Sequence, residues 1–384
     1  MTAPTLTALA AARAHATGPA AQVVETLATS LLAGLGGRGA SAVLYFASSG
    51  YDPADLAGPL TARFPGAAVI GCSTAGEFTD GHTGVGGVSA VALPEGLLVR
   101  SVAALGDLSD DVAGGTDAAI AAVEAGLGTS LRGLDPARHL GFVLIDGMHA
   151  VEELVNERIG NAAPVLDVVG GSAGDDLAFA STWVAVGDQV SHRGLALLVA
   201  EAGVPFRVVK TCSFTPAGTV LRITKADVPN RTVLEFDGKP AVQAYAEALG
   251  LPPEQVDAEV LMAHPVGLMI DGQPWIRSPQ ALTPEGGIRF YAQILDGMEV
   301  ELMTSGDLVA QTATAIAGAR AELGGRTGGA VMFNCILRRL EMDAQQTSQP
   351  FLEAFAGIPL AGFHTYGETW LGHVNQTLTG VVFG

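Results

Sequence analysis

Positive charge is scarce in this sequence. Its 20 Lys and Arg face 39 Asp and Glu, a net charge of −19 at pH 7. Such a surface repels phosphate backbones and anionic lipid, so nucleic acid and membrane surfaces are poor partners. An anionic ligand would need a local positive site. The nearest to one is Arg338-Arg339, read most simply as a surface pair. Cysteine is rarer still. Cys72, Cys212 and Cys335 lie far apart and form no C-x-x-C, which argues against a disulfide framework and a structural zinc site. Covalent haem, which needs C-x-x-C-H, is excluded. Long apolar runs are missing too. The run at 195–200, L-A-L-L-V-A, is strand-sized, and nothing reaches the roughly 18 apolar residues of a membrane span. The Ala-rich segment 1–39 lacks the charged-then-apolar order of a signal peptide. A cytoplasmic protein is expected. Signatures of catalysis are absent as well: neither G-x-x-x-x-G-K-[ST], nor G-x-G-x-x-G opening a helix, nor G-x-S-x-G occurs. The expectation is a protein that binds and does not catalyse.

What is present is apolar material, 48% of 384 residues, and 50 glycines. That is enough for a sizeable core and for more than one packed unit. The pattern predicts a helix at 20–34, a strand at 42–47, a helix opening at Asp52-Pro53, a strand at 68–70, a glycine turn at 71–77 and a strand at 86–93. The same order returns at 140–145, 151–160, 164–169, 170–176 and 194–200. It returns again at 330–333, 348–355, 359–361, 362–368 and 376–383. We read this as a weak internal repeat of about 50–60 residues, in a mixed α/β fold with largely antiparallel sheets and packed helices. Two halves are expected, 20–203 and 219–384. Further strands fill 206–303, and a helix at 306–323 is expected to be capped by Ser305.

The glycine turns carry the chemistry. Gly71, Thr74, Gly76 and Glu77 recur at identical spacing as Gly362, Thr365, Gly367 and Glu368, and Gly171-Ser172-Ala173-Gly174-Asp175 is a looser relative. A Gly-rich turn after a strand permits close backbone approach, and its N–H groups can cradle a carboxylate. Ser73, Ser172, Asp175 and the two glutamates would then line a ligand. The alternative is tight strand packing with the acid capping local N–H groups. Asp146, His149, Glu152 and Glu153 have the residue types of metal ligands, and equally those of a helix start. His364 and His373 lie in the last turn and its exit, beside Tyr366 and Trp370. A neutral imidazole among aromatics can hold a haem iron, or can simply bond the loop backbone.

V-I-G-C-S-T-A-G-E at 69–77 and V-G-G-S-A-G-D-D at 169–176 resemble the N-terminal half of the FIST family of sensory modules. P-V-G-L at 265–268, W-I-R-S at 275–278, F-N-C at 333–335, the turn 362–368 and N-Q-T at 375–377 resemble its C-terminal half. The closing segment H-V-N-Q-T-L-T-G at 373–380 is most similar to a branch that binds haem and senses nitric oxide. F-N-C-I-L-R at 333–338 and L-E-M at 340–342 point the same way. The resemblance implies two FIST halves and a non-covalent b-type haem on His373, or failing that His364. It implies regulation in trans of a histidine kinase or a cyclic-di-GMP enzyme, and leaves homo-oligomerisation open. The alternative within the family is a haem-free module for an amino acid or similar metabolite, which suits turns rich in glycine and acid.

Overall fold

A computed structural model describes residues 9–384. The first eight residues, part of the segment expected to carry no leader, lie outside the described residues. Among the described residues no helix is long and apolar enough to cross a membrane.

Three units with the same strand and helix order make up most of the chain. The first is β1 (Ala12–Thr17), α1 (Ala20–Leu35), β2 (Ala40–Ser48), α2 (Ala54–Arg63), β3 (Ala68–Thr74), the hairpin β4 (Glu77–Thr79) and β5 (His82–Gly84), and β6 (Gly87–Pro94). The second is β7 (Leu98–Asp107), α3 (Val112–Leu127), β8 (His139–Ile145), α4 (Glu152–Ala162), β9 (Asp167–Ser172), the hairpin β10 (Val184–Val186) and β11 (Gln189–Ser191), and β12 (Gly194–Ala202). The third opens with β13 (Phe206–Cys212) and is then interrupted. The insert runs β14 (Phe214–Asp227), β15 (Thr232–Phe236), β16 (Lys239–Pro240), α5 (Ala241–Leu249), α6 (Ala258–Ala263), β17 (Val266–Ile270), β18 (Gln273–Arg277), β19 (Pro279–Leu282), β20 (Ile288–Phe290) and β21 (Glu299–Ser305). The third unit resumes with α7 (Leu308–Glu322), β22 (Gly329–Cys335), α8 (Ile336–Gln345), α9 (Ser348–Glu353), β23 (Leu360–Thr365), the hairpin β24 (Glu368–Trp370) and β25 (His373–Val374), and β26 (Thr377–Phe383).

Each unit builds one sheet around a parallel pair: β2 with β3, β8 with β9, β22 with β23. The returning strand lies antiparallel beside the pair, and the unit's first strand lies beyond it. The hairpin leaves home. β4–β5 pairs with β23 of the third unit, β10–β11 with β3 of the first, and β24–β25 with β9 of the second. The exchange closes a three-membered ring.

Side-chain alternation explains the layers, because successive strand residues face opposite sides. Leu44, Phe46, Leu140, Phe142, Phe333 and Phe363 point inward to one core shared by all three sheets. Val43 and Tyr45 face α1 and α2, and Val143 and Ile145 face α3 and α4. Ala330 and Met332 belong to the helix side of the third unit. The insert has its own sheet and its own core around Tyr245, Phe236 and Ile288.

The repeat is therefore real, though longer than the expected 50–60 residues, since each unit includes its first strand and helix. One cap differs from expectation. Asp307, not Ser305, caps α7, with Oδ1 accepting the Ala310 N–H at 2.8 Å. Its shorter reach to the N3 amide suits that position.

Candidate functional site

The three turns meet at the end of the ring where the parallel strands finish. Ala75 N–H donates to His364 O, Gly174 N–H to Ser73 O and Tyr366 N–H to Ser172 O, at 3.0–3.1 Å. The reciprocal bonds run from His364 N–H to Gly76 O, Ser172 N–H to Gly367 O and Ser73 N–H to Trp183 O. This pattern sets the true equivalence. Ser73, Ser172 and His364 are one position. Gly71, Gly170 and Gly362 are another, each opposite a residue of the parallel partner strand. Gly71 lies on the Tyr45 ring, where an added Cβ would be 2.3 Å from Cζ.

The middle turn corrects the sequence alignment. Its acid, Asp175, is not the counterpart of Glu77 and Glu368. Val184 holds that place, paired with Cys72 as Glu77 is with Phe363 and Glu368 with Gly171. Residues 175–182 are an extra loop between them.

The two glutamates cap backbone. Both are fully buried. Glu77 accepts the Gly87 N–H at 2.6 Å. Glu368 accepts the Thr377 N–H at 3.1 Å and hydroxyl at 2.7 Å, and the Thr365 hydroxyl. Each ties its hairpin to the strand that follows. Burial pushes the Glu368 carboxyl up to about 7. Gly76 has φ +104 and is crowded by Gly84 O and the Arg339 and His364 side chains. Ser73 accepts the Trp183 N–H. Gly171 packs on Thr365. These residues make the frame of the turns.

The histidines are packed too. His364 Nδ1 is 3.0 Å from Asn334 Nδ2, and Nε2 is 3.3 Å from Thr83 Oγ1. Burial, helped by Arg339 and Arg338, pushes its pKa down to about 3. The neutral ring has both nitrogens engaged. His373 is held neutral by burial against the pull of Glu152 and Glu153. Its Nδ1 is buried without a partner. However, an ideal Cβ on Gly367 would lie 2.0 Å from Cε1, 2.8 Å from Nε2 and 3.1 Å from Nδ1. Backbone therefore covers the edge of the ring that carries both nitrogens. Trp370 bonds Asp167 and stacks parallel to Trp275. As they stand, these residues do not fit a haem. His149 and Glu153 also part company: His149 bonds Asp146, while Glu153 bonds Arg231 and the Gln293 N–H. No group of three or more metal-ligating side chains occurs among the described residues.

A cleft of about 570 Å³ does open beside the turns, between the second unit and the insert. Gly147, Met148, Ala150 and Glu152 form one wall. Asn230, Arg231, Gln280, Arg289, Phe290 and Tyr291 of the insert form the other, and Phe179 and Tyr366 stack on each other at its edge. Of the residues marked in the turns and the histidine loop, Tyr366 lines it, and so does Glu152 from the possible metal-ligand group. Two others act from behind. Ser172 donates to Glu152 at 3.1 Å, and Asp175 accepts the Tyr366 hydroxyl. Asp175 also gathers the N–H groups of Phe179, Ala180 and Ser181. Burial disfavours the Glu152 anion, but Arg231 at 2.8 Å outweighs it and lowers the pKa. Backbone strain collects here: Ala150, Phe179 and Arg231 have φ of +54, +49 and +49. Such conformations cost energy in non-glycine residues and cluster where ligands bind.

Residues 41–239 match the FIST N domain, and residues 241–370 match the FIST C domain. The chain belongs to the FIST family. FIST domains are sensory, ligand-binding signalling modules. The seam between the two matches falls within the insert, between β16 and α5. An uncharacterized protein of Methanocaldococcus jannaschii is 25% identical over 278 residues, covering 64% of this chain and 54% of that protein. This FIST chain thus spans about half the length of that relative.

Sequence reasoning missed the insert's wall of the cleft. Arg231 and Arg289 sit in unremarkable strand patterns, and only the topology brings them to Tyr366. The one local signal is P-N-R at 229–231, a turn sequence that ends in the strained Arg231.

Proposed function

We propose that this FIST protein is a cytoplasmic sensor that binds a small carboxylate-bearing metabolite of amino-acid type in the cleft, and acts by binding alone. Arg289 carries the reading. It lines the cleft, and among the described residues no hydrogen bond or ion pair engages its guanidinium. Arg231, by contrast, is already balanced by Glu152 and Glu153. A free guanidinium is a preformed fork for a carboxylate. Asn230 and Gln280 offer further polar contacts, Phe290, Tyr291 and Met148 an apolar surface, and Glu152 a carboxylate for an amine.

Polar contacts that join the insert to the ring among the described residues include Arg231 to Glu152 and Glu153, Glu153 to Gln293, Ser278 to Asn375 and Gln376, Gln376 to Met262, Arg277 to His373 and Ser305 to Glu341. A ligand held by both walls would favour their closed arrangement through its differential affinity. The output, on this proposal, is regulation in trans of a histidine kinase or a cyclic-di-GMP enzyme, tested by co-purification with and without ligand.

The second reading is a b-type haem on His373, with nitric oxide as the signal. Its support is the unpartnered, neutral Nδ1 of His373 and the left-handed backbone at Leu371 and Gln376, with φ of +54 and +52. The loop 371–376 would have to leave Gly367 for it. Titration of the purified protein with haem and with an amino-acid panel separates the readings. Thermal stabilisation by an amino acid, with haem giving no defined Soret band, supports the metabolite. A Soret band that is lost in His373→Ala supports haem and overturns the metabolite reading.

A further inference from the structure

Another hollow, of about 280 Å³, lies between β13, α7 and the start of β18. Lys210, Thr211, Gln273, Gln311 and Thr314 supply its polar lining. No carboxylate lines it, in a chain with 39 acids against 20 bases.

Its cation is unbalanced. Lys210 is half-buried, and its ammonium lies 4.3 Å from the centre of the Trp275 ring and 5.5 Å from that of Trp370. Those aromatic faces are its only described partners. Burial without a counter-charge lowers its pKa. A second cation, to which no carboxylate is hydrogen-bonded among the described residues, stands near it. Arg338 is fully buried, with Nε on Asn334, Nη2 on Thr312 and Nη1 on nothing. Lys210 and Arg338 both act on the thiol of Cys212, which lines the hollow between them. The carboxylate that acts on Arg338 most strongly is Glu368, itself spent on Thr365 and Thr377. Burying a charge without a partner is costly. Hydroxyls are unused too: Thr211 Oγ1 and the neighbouring Ser213 Oγ are buried with no hydrogen bond. The side-chain amides of Gln273 and Gln311 bond no group among the described residues.

We propose that this hollow binds a phosphate-type oxyanion, either the free ion or the phosphoryl group of a small metabolite. Lys210 provides the charge, and the amides of Gln273 and Gln311 provide donors from the insert and from α7. An ammonium and two carboxamides present donors from three elements, which suits an anion with several oxygens. The ligand would sit on a seam. Gln273, Pro274 and Trp275 belong to the insert, whereas Lys210, Gln311 and Trp370 belong to the third unit. Occupancy pins the two together at a place that shares no lining residue with the metabolite cleft, and the proposal does not depend on that cleft.

The test is a titration of the full chain with inorganic phosphate at constant ionic strength, with sodium chloride as the balancing salt. Melting temperature and tryptophan fluorescence are the readouts, since Trp275 and Trp370 lie under Lys210. Phosphate is expected to raise the melting temperature with saturation and to change the fluorescence. Lys210→Met is expected to weaken the response at least tenfold. Gln311 is exposed on α7, so Gln311→Glu keeps the fold while placing a like charge at the site, and it is expected to abolish the response. Arg289→Ala is expected to leave it intact. A stronger response to glycerol 3-phosphate than to phosphate assigns the site to an ester, and the reverse assigns it to the free ion. Equal responses of wild type and both hollow variants, a chloride effect equal to that of phosphate, or loss of the response in Arg289→Ala would overturn the proposal.

Discussion

Tyr366 donates its hydroxyl to Asp175, and the same oxygen accepts the Leu177 N–H at 2.7 Å. One phenol thus fastens the turn of the third unit to the extra loop of the second. Asp176, Leu177 and Phe179 in that loop have φ of +53, +66 and +49, so the loop stays in place only because its surroundings hold it. Tyr366→Phe removes the hold and leaves the ring in the cleft. The expected loss is about 1–2 kcal/mol of local stability. It would be read as faster amide exchange at Phe179, Ala180 and Ser181, with several-fold weaker metabolite binding. Unchanged protection there would show that Asp175 holds the loop unaided.

Glu368 and His364 give opposite pH signatures. Glu368 titrates near 7 in the fold against a reference of 4.5, so the folded state holds the extra proton and stability falls as pH rises from 4.5 to 7. Glu368→Gln is expected to remove that fall, which amounts to about 3 kcal/mol. His364 is pushed down to about 3 from 6.5, so its contribution is present above 6.5 and lost as pH drops toward 3. The two slopes oppose each other between pH 4.5 and 6.5. Denaturant melts of Glu368→Gln across that range should therefore show stability rising with pH more steeply than in wild type. A parallel profile would contradict the buried, protonated Glu368.

Gly367 and His373 test whether the imidazole is packing or ligand. Gly367→Ala drives a methyl into the ring and is expected to destabilise by about 1–3 kcal/mol, the usual range for overpacking. His373→Ala should relieve that cost in the double variant, giving a coupling of about 1 kcal/mol or more in a double-mutant cycle. Additive effects would mean that His373 stands away from Gly367 in solution, as a ligand to iron requires.

The frame was legible in the residues because it rests on local rules. Short apolar runs at 42–47 and 140–145 gave strands, and the turn at 71–77 matched that at 362–368 because Tyr45 crowds Gly71, while Phe78 and the Met332 carbonyl crowd Gly362. The hairpin exchange was not legible. Which strand β4, β10 or β24 joins depends on the ring closing, and nothing within E-F-T or E-T-W encodes it. Asp175 was misaligned for a related reason: it follows the same A-G step as Glu77, but only the Val184–Cys72 pairing reveals the loop between. The cleft lay furthest from view. Tyr366 was marked for its place beside two histidines, whereas its use comes from Arg231 and Arg289, more than 70 residues away in an insert whose packing has no local signal.

Arg289 bears the central claim most directly. Calorimetric titration of wild type and Arg289→Ala with the amino acid that most stabilises the protein is the deciding measurement. The account predicts saturable one-to-one binding by wild type and at least a tenfold loss in the variant, which is more than about 1.4 kcal/mol for the lost charge-assisted bond. Binding of equal affinity to both proteins would contradict it, because the metabolite would then sit outside this cleft.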